Sequence, residues 1–217
     1  MQTSERTAEL IQHLTADVRP ISSQALVRRL FAGLVVGIAI ALLVLLLSVG
    51  VRADLRTAVF TVPFWMKWLY AGSLSVIGFG WCVRLARPDA KSITLPWWML
   101  VPVALLLLLS LYELRYAPAE AVHKLWMGHS ALICPFNIMG FALPVFVSVA
   151  LMLRRLAPTR LRLAGFAAGC VAGASGAVVY ALYCNESAAP FVLVWYSVGM
   201  VLPALVGAAL GPRLLRW

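Results

Sequence analysis

Four cysteines and three histidines are the side chains of this chain best suited to redox or metal chemistry. No two cysteines form a Cys-x-x-Cys pair, and no spacing matches a zinc site. Any chemistry therefore depends on which dispersed cysteines the fold brings together. Cys82 and Cys170 fall inside apolar stretches, where a free thiol serves as a small apolar filler. Cys134 and Cys184 fall at the ends of such stretches. Thiols there can pack as filler, form a disulfide or bind a soft metal ion. His123, His129 and Glu186 lie in the adjoining connections and could complete a metal shell, while solvated loop histidines are the ordinary alternative. No Ser-His-acid arrangement is readable, so neither catalytic residues nor an enzyme are expected.

The elements that must position these groups are six apolar segments, Leu30–Val51, Phe64–Leu85, Leu95–Leu114, Ser130–Leu153, Leu163–Cys184 and Pro190–Leu210. A helix of ~20 residues at ~1.5 Å per residue crosses the ~30 Å hydrocarbon core of a bilayer. The hydrophobic fraction of 63% agrees, since soluble domains hold roughly 45–50% apolar residues. The expected fold is all-α: residues 30–217 form a six-helix transmembrane domain, preceded by a tail over 1–29. The first segment is too long and too far from the start for a cleaved signal sequence, and should persist as helix 1.

Lysine and arginine counts orient the bundle. With the N-terminus inside, thirteen of the 18 basic residues fall on the inner segments and five, Arg52, Arg56, Lys67, Arg115 and Lys124, on the outer ones. Both termini are therefore expected in the cytoplasm. The net charge of +10 follows from this bias, and direct nucleic-acid binding is not expected. The same topology carries Cys134 and Cys184 to the outer face, at neighbouring helix ends. The segments hold no Asp, Glu, Lys, Arg or His near their middles, with Glu113 and Arg84 at ends where headgroups or water are in reach, which argues against a coupled transporter. Gly165, Gly169 and Gly173 form a small-residue stripe, for packing within the bundle or for a homodimer, and Pro102, Pro144 and Pro203 should kink their helices.

The tail reads as a short amphipathic helix. Leu10, Ile11, Leu14, Val18 and Ile21 recur at helical spacing, Ser4 caps the start, and Pro20 forces an end near Val18. Its polar face carries Glu5, Glu9 and Asp17 against Arg6 and Arg19. Helices that lie on membranes are rich in basic residues there, so a cytoplasmic protein with an apolar groove fits better than the lipid surface.

The tail LIQHLTADVRPI (10–21), the pair Cys134–Pro135 and the stretch CNESAAPFVLVWYSVGMVLPALVGAALG (184–211) resemble the NrsF family. These are six-helix membrane anti-sigma factors, negative regulators of extracytoplasmic-function sigma factors in proteobacteria. The resemblance implies that the tail holds a sigma factor at the membrane and that stress felt by the membrane part releases it. It assigns sigma binding to Leu10, Ile11, Leu14, Asp17 and Pro20, to which the apolar stripe adds Val18. It associates Cys134 and Cys184 with the response to heavy metals or oxidants. No resident cofactor is then expected, only a regulatory soft-metal ion on these cysteines, with His129 and Glu186 as further candidate ligands. The rival readings are a small membrane thiol-redox protein, which lacks a reactive Cys-x-x-Cys, and a small transporter.

Overall fold

The computed structural model describes residues 6, 7, 12, 23–87, 96–156 and 158–216. Leu10, Ile11, Leu14, Asp17, Val18 and Pro20 lie outside the described residues. Among the described residues the chain is all-helical, with no strand.

Helix α1 spans Ser23–Ser48 and starts seven residues before the apolar segment, at the serine pair that follows Pro20. A short α2, Leu55–Ala58, leads to α3, Val62–Leu85, with Pro63 at its first turn, where the missing N–H costs nothing. A tight turn at Trp97–Met99 enters α4, Leu100–Tyr116. Pro102 therefore stands near the start of α4, whereas Pro144 and Pro203 lie inside their helices. Then follow α5, Ala119–Met127, α6, Cys134–Arg154, and α7, Leu161–Tyr180. The last helix, α8, runs over Ala189–Leu214 and contains a π-turn at Val192–Tyr196.

Five helical stretches are long and apolar enough to cross a membrane, namely α1, α4 with its entry turn, α6, α7 and α8. The sixth expected segment is present as α3, 24 residues long, but it is less apolar. Lys67 and Arg84 stand near its ends, and Trp65, Trp68, Tyr70 and Trp81 dilute its aliphatic content.

Helix α7 is the axis of the bundle, with α3, α6 and α8 packed around it and α1 lying against α6. Of its apolar stretch 78% is buried, against 11% for α4, which sits at the periphery. The reason is composition. The glycines of α7 let α8 approach backbone to backbone, as Gly165 meets Gly207 and Gly211, Gly169 meets Pro203 and Ala204, and Gly173 meets Met200. The stripe is thus used within the chain. Gly33 and Gly37 give α1 the same close approach to α6. A Cβ on Gly37 would lie 2.6 Å from the Cα of Val145.

Candidate functional site: a buried thiol pair

Cys134 is the first residue of α6, and Cys184 lies in the connection between α7 and α8. The sequence reading put Cys184 in the last turn of its helix. In the structure α7 ends at Tyr180, and the N–H groups of Tyr183 and Cys184 both donate back to the Tyr180 carbonyl, turning the chain before Pro190. Both thiols remain at the same end of the bundle, buried, and within electrostatic range of each other. All four cysteines are free. Cys82, buried near the end of α3, and Cys170, half-buried on α7, lie within electrostatic range of each other.

Two tyrosines, Tyr180 and Tyr196, lie beside the pair. Tyr180 packs against Tyr196 at 5.8 Å and Phe141 at 6.4 Å between ring centroids. The π-turn of α8 carries Tyr196, whose hydroxyl is fully buried beside the two cysteines. A cavity of about 470 Å³ opens beside Cys184, lined also by Arg52, His129, Ser130, Tyr183 and Glu186.

Cations hold the Cys184 segment from below. Lys67 is 1% exposed, and its Nζ donates to the carbonyls of Cys184 and Glu186, each at 2.8 Å. Arg52 donates through Nη1 to the same Cys184 carbonyl at 3.3 Å. Its other guanidinium nitrogens bind Asp54 at 2.7 and 2.6 Å, which raises the Arg52 pKa and holds the Asp54 carboxyl below its usual range.

Carboxylates tie the neighbouring connections together. Glu186 accepts from the His129 N–H at 2.6 Å and from the Ser130 hydroxyl at 3.3 Å. Gly128 has φ +50°, and a Cβ there would stand 2.6 Å from a Glu186 carboxylate oxygen, so this turn requires glycine. Glu113 stands near the end of α4 and is half-buried. Its Oε2 accepts from the Ala189 N–H at 2.8 Å and caps α8, where the free N–H groups of a helix start favour an anion. The indole of Trp195 donates to the Trp126 carbonyl at 2.8 Å and docks α5 on α8.

The structure therefore brings Cys134, Cys184 and Glu186 to one end of the bundle, with His129 contributing its backbone N–H to Glu186 and His123 exposed on α5. Among the described residues no three His, Cys, Asp or Glu side chains converge as a metal-holding group. Sequence reasoning missed the roles of Lys67, Arg52, Tyr180 and Tyr196, and the whole of α5. Pro118 before α5 and Gly128 after it were readable as start and stop.

Fold and site together define a class: an all-helical bundle of membrane-length helices with a buried thiol pair at one end. Within that class the chain belongs to the NrsF family, whose profile, described as negative regulator of sigma F, matches residues 14–217. It is 38% identical over 217 residues to the probable anti-sigma-F factor NrsF of Azospira oryzae, covering 98% of this chain and 100% of that protein. It is 34% identical over 215 residues to the anti-sigma-F factor NrsF of Caulobacter vibrioides, again covering 98% and 100%. No solved structure gives a significant match.

Proposed function

We propose that this chain is a membrane-bound anti-sigma factor, which holds a sigma factor of the extracytoplasmic-function type through residues 1–29 and releases it when Cys134 and Cys184 react with a soft metal ion or an oxidant. The observation that carries the reading is full-length similarity to two proteins named anti-sigma-F factors. It is a regulatory role, and no catalytic step is assigned to any residue. The helices cross a bacterial inner membrane six times, α3 included, with both termini in the cytoplasm. The arginines at one end of the bundle, Arg28, Arg29, Arg84, Arg87, Arg154, Arg155, Arg160, Arg162, Arg213 and Arg216, support that orientation.

The thiol pair suits a sensor on physical grounds. Two free thiols, one at the start of α6 and one in the α7–α8 connection, can be joined by a disulfide or by metal–thiolate bonds, and either link constrains how α6 and that connection pack. Such a link shifts an equilibrium only by its differential affinity for two packings, and covalent or thiolate–metal bonds supply the required few kcal/mol. Helix α1 packs on α6 and leads to the N-terminal segment, so a shift of α6 has a direct route toward that segment.

The test is retention of the sigma factor by the full-length chain in detergent. Leu10→Ala with Leu14→Ala removes two apolar anchors, each worth ~2 kcal/mol or roughly 30-fold in affinity. Retention should fall accordingly. Unchanged retention removes residues 1–29 from the mechanism.

A further inference from the structure

We propose that Lys67 is a positioning residue for the thiol pair: its buried ammonium fixes the Cys184–Glu186 segment against α3 and so sets where the Cys184 thiol rests. This deepens the sensing reading above and rests on it for its functional meaning. The geometry stands without it.

Three observations carry the assignment. First, Lys67 lies in the second turn of α3, 1% exposed, and ends on two backbone carbonyls, those of Cys184 and Glu186, both at 2.8 Å. A buried ammonium is stable only where such acceptors replace its water. Second, among the described residues it forms no ion pair with a carboxylate. The Glu186 carboxylate is engaged by the His129 N–H and the Ser130 hydroxyl, and the ion pair found among the described residues is Arg52 with Asp54. The ammonium is therefore committed to the main chain of the segment. Third, residues 185–187 make no backbone–backbone hydrogen bond with any described residue. Side chains hold this connection, and Lys67 contributes the two shortest ties to its carbonyls, with Arg52 a longer third.

The ammonium grips backbone atoms, so the grip survives replacement of the cysteines, and this makes a clean test. In the full-length chain in lipid nanodiscs, Cys82 and Cys170 are replaced by Ala and Cys134 and Cys184 by Ser. A nitroxide is attached through Ser187→Cys, an exposed position in the segment, or through Leu205→Cys, an exposed position on α8. With Lys67 present, the spectrum at 187 should contain an immobilised component. Lys67→Met should abolish that component at 187 and leave the spectrum at 205 unchanged. A label at 187 that is already mobile beside Lys67 overturns the proposal, without any variant at 67. So does a spectrum at 187 that Lys67→Met leaves unchanged. Equal loosening at 187 and 205 also overturns it, because Lys67 would then support the bundle as a whole. None of these outcomes depends on whether the cysteines sense anything; the serine exchange described in the Discussion decides that separately.

Discussion

Gly169→Ala should destabilise the bundle, whereas Gly140→Ala should not. Gly169 faces α8 within the close α7–α8 contact, where an added Cβ would stand 2.5 Å from the Cα of Ala204 and closer still to the Pro203 carbonyl oxygen. Ordinary contact begins at 3.4 Å, so α8 must retreat by roughly 1 Å along a contact made of backbone rather than of flexible side chains. Overpacking of this kind costs about 1–3 kcal/mol. Gly140 on α6 has nothing within 4 Å of its hypothetical Cβ, so alanine there meets no obstacle and gains up to about 1 kcal/mol of helix propensity. The two variants should therefore differ by about 2 kcal/mol, within a range of about 1–4 kcal/mol. For a chain of this size that is about 5 °C in Tm, read from thermal unfolding of the purified protein in one detergent. Equal Tm values for the two variants would refute the claim that close backbone contact between α7 and α8 holds the bundle together.

Reporter fusions after Ser92, Pro158 and Trp217 should report cytoplasm, and those after Pro118 and Ser187 periplasm; a periplasmic C-terminus would overturn the topology. The Asp54 carboxyl is held below its usual range by Arg52, so its contribution to stability is present above the carboxylate's unfolded pKa and lost as pH falls through the lowered, folded value. Asp54→Asn should therefore be less stable than the natural protein above about pH 4, and the difference should shrink as pH falls below that, as pH-dependent melting would show.

The parts of this fold that hydropathy controls were legible in the sequence. Apolar runs fixed the major helices to within a few residues at most ends, and alternation of those helices was enough to bring Cys134 and Cys184 to one end of the bundle. Helix α1 begins earlier than its apolar run because helix formation needs no membrane, and residues 23–29 form helix just as well. What escaped were contacts to main-chain atoms. Lys67 meets carbonyls 117 and 119 residues away, and a carbonyl leaves no mark in a sequence. Glu113 and Glu186 likewise bind N–H groups of Ala189 and His129. A lysine five residues into a tryptophan-rich helix therefore read as an outer-loop charge. The π-turn that carries Tyr196 was equally silent, since its sequence, Val-Leu-Val-Trp-Tyr, is that of an ordinary apolar helix.

The central claim is that sigma-factor retention answers to the two thiols at the end of the bundle. The direct measurement is the amount of sigma factor that co-purifies with the full-length chain from membranes, before and after exposure to cadmium or a thiol oxidant, for the natural protein and for Cys134→Ser with Cys184→Ser. The account predicts that both proteins retain the sigma factor at rest, that exposure releases it from the natural protein, and that the serine variant keeps it. Equal release from the two would contradict the account and reduce Cys134 and Cys184 to packing residues.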